Sequence, residues 1–302
     1  AGAARALASG KQDDVTFGAR AAYAARADDE ALLAALYREM QADKGARSGK
    51  RLLLLGQVAE ALERPLEAIG WYREVPESDE RWFSAGMRIV VLADEQGDLA
   101  TSRTRLDELR ATSGADADQA GDLYLLEAEL LTRKLRKADA MAVYARGLEQ
   151  LPADPRLLYA KAMLAIELDD IAGAESDLRR IIAEDADSAE ALNALGYTLA
   201  DRTDRIDEAL VLIEKALELK PEEASIIDSY GWVQFRLGHL DVAVRELRRA
   251  FAKTPDAEIA AHLGEALWAS GERDEARRVW EKARRADPDN AVLLETIRRL
   301  VP

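Results

Sequence analysis

A set of small residues recurs along this chain at a nearly fixed interval. Gly231 is followed by Ala243, Ala250 and Pro255 at steps of 12, 7 and 5 residues. The same steps, with occasional substitutions, recur in other units, and one unit carries an inserted residue. The unit anchors are Gly56, Val90, Ala128, Ala162, Gly196, Gly231 and Gly264, spaced by 34, 38, 34, 34, 35 and 33 residues. Self-similarity at this period indicates a repeat array rather than a set of unrelated domains.

Each unit is predicted to be two antiparallel helices joined by a short turn. The chain is rich in Ala, Leu, Arg and Glu, which favour helix, and poor in Gly and Pro. Two helices can cross closely only where their side chains are small, so Gly231 and Ala243 are expected at such a crossing. Pro255 is expected to end the second helix because it lacks an N–H group. Such units must stack to bury their apolar faces.

This pattern resembles the tetratricopeptide repeat, a helix–turn–helix unit of 34 residues. The small-residue, turn and proline positions agree best over 121–289. The resemblance implies an all-α fold, a right-handed superhelical α-solenoid of about seven repeats with a C-terminal capping helix. We expect divergent repeats over 1–120, with 1–13 the end of a truncated repeat, then regular repeats over 121–289 and the capping helix over 290–302.

Composition limits the classes of function. The formal net charge of −15 argues against nucleic acid as a partner. The chain has no cysteine, so disulfides, thiolate nucleophiles and Cys-ligated zinc are excluded. No run of 18 apolar residues occurs, so any membrane attachment is expected to come from a lipid anchor upstream of this sequence.

No catalytic or metal-binding constellation stands out. His239 and His262 lie 23 residues apart without ligand spacing, and both are expected to be solvated or capping residues. The acidic run 167–170 lies at a predicted helix end, where solvated charge is the usual arrangement. Residues 47–51, RSGKR, lack the glycine spacing of a phosphate-binding loop and are predicted to open a helix. We therefore predict that the chain is not an enzyme and that it holds no cofactor and no metal.

The resemblance implies that the first helix of each repeat, helix A, lines a concave groove. The second, fifth, ninth, twelfth and thirteenth positions of each unit then face that groove. An apolar stripe across four adjacent units is predicted from Tyr159, Met163, Tyr197, Trp232, Phe235 and Trp268. The predicted partner-binding set is completed by two polar residues, Asn193 and Arg236. Exposed aromatic side chains of this kind favour binding, although packing between neighbouring A helices is the alternative.

The predicted partner is a protein or peptide that offers apolar side chains and some positive charge. Asn193 and Arg236 hold places comparable to those with which some family members grip a peptide carboxylate, but the groove is otherwise acidic and aromatic. Arginine pairs at 248–249, 277–278 and 284–285 lie on B helices near the C-terminus. They are expected on a solvated convex face, with an acidic partner or lipid headgroups as the alternative.

Residues 189–290 are similar to a narrower group, the outer-membrane-anchored tetratricopeptide lipoproteins of the bacterial periplasm. The resemblance is carried by ALNALGYTLADRTDRIDEALVLIEKALELKP, DSYGWVQFRLGHLDVAVRELRRAF and PDAEIAAHLGEALWASGERDEA. Some members are adaptors that deliver cell-wall hydrolases to a carboxyl-terminal processing protease. The resemblance implies a periplasmic location, tethering to the outer membrane and an adaptor function.

Two alternatives remain at this stage. The chain could be the regulatory repeat region of a larger enzyme whose catalytic domain lies upstream, or a scaffold of a polysaccharide-secretion system. The sequence upstream of residue 1 would separate them.

Overall fold

The computed structural model of the chain describes residues 13–42, 47–113 and 116–301. Every regular element within these ranges is a helix, as predicted. The expected end of a truncated repeat over 1–13 lies almost wholly outside the described residues. The two units into which the chain divides meet at Arg136 and Lys137. The predicted boundary at residue 120, which was drawn from repeat regularity, stays a prediction.

The first unit contains seven helices within its described residues. They are α1 (Asp14–Arg26), α2 (Glu30–Ala42), α3 (Gly49–Ala61), α4 (Pro65–Arg73), α5 (Trp82–Glu95), α6 (Leu99–Ser113) and α7 (Ala117–Arg133). Residues 47–51 do open a helix, because the Ser48 hydroxyl accepts a hydrogen bond from the Arg51 amide and caps α3. The phosphate-loop reading of this segment therefore has no support.

The second unit contains the regular repeats. Its helices are α8 (Lys137–Gln150), α9 (Pro155–Glu167), α10 (Ile171–Glu184), α11 (Ala189–Arg202), α12 (Ile206–Leu219), α13 (Ala224–Arg236), α14 (Leu240–Lys253), α15 (Ala257–Ala269), α16 (Arg273–Ala286) and α17 (Ala291–Leu300). Helices α9, α11, α13 and α15 are the A helices, and each packs against the B helix that follows it. Helix α14 ends at Lys253, two residues before Pro255, as the repeat pattern predicts.

Most turns between paired helices contain a left-handed residue, although the turn of residues 203–205 between α11 and α12 does not. Glycine occupies this place in three repeats, where Gly97, Gly238 and Gly271 have φ values of 75°, 81° and 89°. Other residues take the same conformation in four repeats, at Asp28, Glu63, Leu135 and Asp169. Leucine is costly there because its Cβ crowds the backbone, and the Leu135 side chain is 85% exposed. The turn geometry is therefore maintained even where the sequence does not favour it.

The recurrent spacing of small residues along the chain lets the A and B helices of a repeat approach closely. A bulky side chain of helix B fills the contact. A Cβ added at Gly231 would clash with Leu247, and one at Gly264 would overlap the Trp280 indole. Gly56 likewise receives the Tyr72 ring. The small residue thus forms a recess for a large side chain. The sequence predicted a close helix crossing at Gly231 and Ala243. It did not identify Leu247, whose side chain fills the space beside Gly231.

Neighbouring repeats are joined by a recurrent hydrogen bond. One basic residue on each of three B helices donates to a backbone carbonyl in the loop before the repeat. The pairs are Arg180 to Pro152 at 2.5 Å, Lys215 to Ala186 at 2.5 Å and Arg249 to Pro221 at 2.6 Å. These cations bond to backbone carbonyls of the loops, which no helical hydrogen-bond ladder satisfies.

Helix α17 covers the apolar surface of the last repeat. Asn290 caps its start, and Leu293 is fully buried against the cluster formed by α14, α15 and α16. Arg299, near the end of this helix, donates to Glu265 of α15 at 2.6 Å. The predicted capping position of this helix is confirmed, with an added ion pair.

We expect Gly264→Ala to lower the free energy of unfolding by about 1–3 kcal/mol, because its methyl group would displace Trp280. Gly70→Ala is the matched control. Gly70 lies within α4, nothing lies within 4 Å of the added Cβ, and alanine should stabilise that helix by about 0.5–1 kcal/mol. Urea denaturation followed by circular dichroism measures both. Equal effects of the two changes would contradict the role of the recess.

Candidate functional site

The predicted partner-binding residues all lie on four successive A helices, α9, α11, α13 and α15. Five of them belong to or pack against one hydrophobic cluster: Tyr159, Met163, Tyr197, Trp232 and Phe235. Trp268 packs against the next cluster, and Phe235 borders both. These six residues therefore pack along one row of A helices, and we call this row the A-helix surface; its function as a partner-binding stripe stays a prediction.

The centre of the A-helix surface is packed more deeply than expected. Trp232 is only 8% exposed, so its ring packs between neighbouring A helices, which is the alternative that the sequence left open. Its indole lies between the Phe235 ring, at a centroid distance of 5.1 Å, and the His262 ring, at 4.4 Å. The ring is buried because the next A helix supplies a flat partner. Phe235 remains half-buried.

The expectation for His262 is also wrong, whereas that for His239 is confirmed. His262 is 6% exposed, and its Nδ1 lies 2.8 Å from Oδ2 of Asp228, itself 7% exposed. Its Nε2 lies 3.2 Å from the Tyr197 hydroxyl. His239 is exposed and stands at the N-terminal cap of α14, with its ring bonded to Gln234 at 2.8 Å.

Asp228 and His262 are therefore site residues that the sequence analysis missed. Asp228 occupies the fifth position of its unit, the same groove-facing place as Asn193, so the repeat count could have identified it. His262 is sixth in its unit, and no positional rule pointed to it. Its role depends on a partner that comes from the preceding repeat.

The two predicted polar residues do not form a ready carboxylate grip. The Arg236 guanidinium donates to the carbonyls of Ala200 and Thr203 at the end of α11, so it serves as a cap between repeats. This corrects its assignment as a free partner-binding cation. Asn193 is half-buried, and its Oδ1 has no hydrogen-bond partner among the described residues. The Oδ1 atom is itself buried, so Asn193 does not present this acceptor at the surface.

Trp268, at the far end of the A-helix surface, is held by cations. The guanidinium groups of Arg273 and Arg277 lie 5.1 and 5.5 Å from its ring centroid, and the Trp280 ring lies at 5.7 Å. Such contacts favour a fixed orientation of the indole. Because Trp268 is only partly buried, it still offers ring surface to a partner.

Acidic groups surround the aromatic surface. Burial raises the pKa of Tyr197, and the negative charges of Asp201, Asp228 and Glu258 raise it further. Burial and the charge of Glu190 also raise the pKa of Tyr159. Both tyrosines therefore remain neutral hydrogen-bonding groups through the physiological range. An apolar surface bordered by carboxylates suits a partner with basic and apolar side chains.

The arginine pairs on the B helices have different environments. Arg248 bonds to Glu272 and Glu275, and Arg249 bonds to Glu222. These two residues are engaged in ion pairs between repeats. Arg278 and Arg284, by contrast, are exposed on α16. The predicted position of all three pairs on a convex face stays a prediction.

Comparison with protein families identifies the repeat. Residues 159–224 and 231–291 match the family model of the tetratricopeptide repeat. The helical pairing, the turns and the Gly recesses described above agree with this match. Residues 159–224 and 231–291 are therefore tetratricopeptide repeats, in a chain whose described residues form pairs of helices.

Several known proteins are similar to it. A TPR repeat-containing protein of Pseudomonas aeruginosa, PA4667, is 42% identical over 211 residues, which are 70% of this chain and 35% of that protein. The chain thus spans about a third of that relative. A tetratricopeptide repeat protein from Parabacteroides merdae superposes with a TM-score of 0.61, 16% identity and coverage of 85% of this chain and all of that one.

A thermophilic TPR protein of Thermus thermophilus superposes with a TM-score of 0.53 at 23% identity, over 60% of this chain and all of that one. Similarity to these two structures concerns the fold alone. None of the described helices has the length and apolar character that a membrane span requires. The described residues also contain no group of three acidic or histidine side chains that could hold a metal ion.

We expect Trp232→Ala to lower the free energy of unfolding by about 3 kcal/mol or more, because it removes a buried indole stacked on two rings. Trp268→Ala is the matched control, since the same residue type on the next A helix is partly exposed, and its loss should be less than half as large. Urea denaturation measures both. Equal losses would show that the two rings are buried to a similar energetic extent.

Proposed function

We propose that the chain is a non-catalytic interaction scaffold that binds a protein or peptide partner along the A-helix surface. One observation carries this proposal. Aromatic and apolar side chains from four successive A helices form one continuous surface, and all of its members except Trp232 retain partial exposure. Large partly exposed aromatic groups supply contact area at low entropic cost, which suits a binding surface.

The partner's chemistry follows from the border of this surface. Asp201 and Glu258 contribute negative charge beside Tyr197, and the chain carries a net charge of −15. A partner segment with aliphatic or aromatic side chains and a lysine or arginine would bury the apolar area and be steered by the carboxylates. Arg236 is engaged at the end of α11, so a terminal carboxylate is the less suitable ligand.

The narrower proposal is an adaptor in the bacterial periplasm. In this role the protein brings a carboxyl-terminal processing protease together with its substrates, cell-wall hydrolases, and is tethered to the outer membrane through a lipid anchor upstream of residue 1. Support comes from the resemblance of residues 189–290 to periplasmic tetratricopeptide lipoproteins. The 42% identity to the Pseudomonas aeruginosa relative is consistent with a bacterial repeat protein of greater length.

Site-specific crosslinking tests the binding surface. A photoreactive amino acid is placed at Met163 or at Phe235, both half-buried on A helices, in the full-length protein in cells. We expect both positions to crosslink to the same protein, identified by mass spectrometry. Val211, 65% exposed on the B helix α12, is the control position and should give no such product. An identical product from Val211, or none from the A helices, would contradict the proposal.

Purified components then test the contact energy. Phe235→Ala should weaken binding of the crosslinked partner at least tenfold, or about 1.4 kcal/mol, because it removes partly exposed contact area from the A-helix surface. Val211→Ala should leave the affinity unchanged. Isothermal titration calorimetry gives both values, and circular dichroism checks that each variant is folded. Unchanged affinity of a folded Phe235→Ala variant would show that this part of the A-helix surface does not contact the partner.

Reconstitution tests the adaptor role separately. A carboxyl-terminal processing protease and a cell-wall hydrolase from the same organism are incubated with and without the full-length protein. Faster hydrolase cleavage in its presence supports delivery of the substrate. An unchanged rate, together with intact partner binding, would leave the scaffold function in place and exclude this adaptor role.

A second candidate is the regulatory repeat region of a larger enzyme. A human protein O-mannosyl-transferase, TMTC1, is 26% identical over 170 residues, which are 55% of this chain and 19% of that protein. A catalytic domain found in the full-length protein, whose activity changes when the A-helix surface is altered, would favour this candidate over the adaptor.

A further inference from the structure

Three successive A helices are joined beneath the A-helix surface by one chain of polar contacts. Asp228 on α13 bonds to His262 on α15, and His262 bonds to Tyr197 on α11. Trp232 of α13 stacks on the imidazole at a centroid distance of 4.4 Å and an interplanar angle of 26°. Three side chains from the two preceding repeats thus meet at one buried histidine.

The hydrogen bonds can be satisfied in either protonation state, but their direction differs. A protonated imidazole donates from both nitrogens, so Nδ1–H donates to Asp228 and Nε2–H donates to the Tyr197 oxygen. A neutral ring that keeps Nδ1–H leaves Nε2 as an acceptor, and the Tyr197 hydroxyl must then donate to it. Deprotonation of His262 therefore reverses the direction of the hydrogen bond with Tyr197 and removes the positive charge from the hydrogen bond with Asp228.

The surroundings of His262 favour the charged form. Burial alone lowers the pKa of a histidine, but the ion pair and hydrogen bond with Asp228 outweigh it. Asp201 of α11 and Glu258 of α15 add negative charge nearby. The net effect raises the pKa of His262 above its ordinary value of 6.5. The face of the Trp232 indole also favours a cation stacked on it.

Within the described residues, the charged groups that act most strongly on His262 are the carboxylates of Asp228, Asp201 and Glu258. The buried residues that α14 and α16 contribute to the shared core are apolar, among them Leu247 and Trp280. Glu265, on α15 itself, is paired with Arg299 of α17.

We propose that His262 is a positioning residue which, while protonated, locks α11, α13 and α15 together and fixes Trp232 and Tyr197 within the A-helix surface. Loss of the proton at higher pH removes the Asp228–His262 charge pair and loosens this lock. The stabilising pair is complete below pH 6.5 and is lost as the pH rises through the raised pKa of His262. The A-helix surface is thereby most rigid in mildly acidic surroundings, below pH 6.5.

The effect of His262 on partner binding rests on the proposed function, whereas its effect on the packing of the three helices does not. The lock itself is measured on the protein without any partner. If the partner does not bind, the titration of His262 is unaffected. If the midpoint of His262 is not raised, the binding surface can still be correct.

Nuclear magnetic resonance tests the lock in the full chain. The protein has two histidines, so His239→Gln leaves a single imidazole whose proton and nitrogen signals report on His262. We expect a titration midpoint above 6.5, and both ring nitrogens protonated below it. Asp228→Asn keeps a hydrogen-bond acceptor but removes the charge, and it should lower the midpoint by about one unit. A midpoint below 6.5 in the parent protein would overturn the proposal, whether or not the Asp228→Asn variant folds.

The stability profile gives a second readout. Urea midpoints are compared at about pH 6 and about pH 8.5, on the two sides of the expected titration. We expect the midpoint of the parent protein to fall between these pH values and that of Asp228→Asn to fall less. Arg248→Gln, which removes an exposed cation paired with Glu272 and Glu275, is the control and should keep the parent's pH dependence. An equal fall in the parent and in Asp228→Asn would show that the pair is not the source of the pH dependence.

Discussion

The close crossing of helix A and helix B is the constraint on which the rest of this structure depends. It requires a recess on helix A and a bulky side chain on helix B, as in the fit of Leu247 against Gly231 and of Trp280 against Gly264. Because the pair is formed within each repeat, every unit presents the same two outer faces to its neighbours. Stacking then extends the core along the chain, and stability arises from many similar local contacts.

Regular stacking also places equivalent A-helix positions side by side in space. Residues that are 34 or 35 positions apart in sequence can therefore bond directly, as Asp228 and His262 do. The same arrangement lets Arg236 cap the preceding A helix and lets Arg249 reach the loop before its own repeat. Polar groups that would be scattered in an irregular fold are arranged in rows along the array.

The A-helix surface contains both buried core side chains and partly exposed ones. Trp232 is a core residue by burial, yet its stacking partner Phe235 and its neighbour Tyr197 are partly exposed. A partner that contacts the exposed members would therefore act on rings whose positions are set by a buried ion pair. This provides a physical route by which the protonation of His262 can influence an external contact, without any change in the helices themselves.

The sequence by itself determined the repeat, the helical class, the turns and the row of A-helix positions that carries Tyr159, Met163, Tyr197, Trp232 and Phe235, because these follow from spacing and from local preferences of the backbone. It did not determine which of these side chains would be covered. The burial of Trp232, the engagement of Arg236 and the pairing of His262 with Asp228 depend on side chains that come from adjacent repeats. Periodicity specifies where a residue points within its own unit, whereas only the tertiary structure decides what the neighbouring unit places against it.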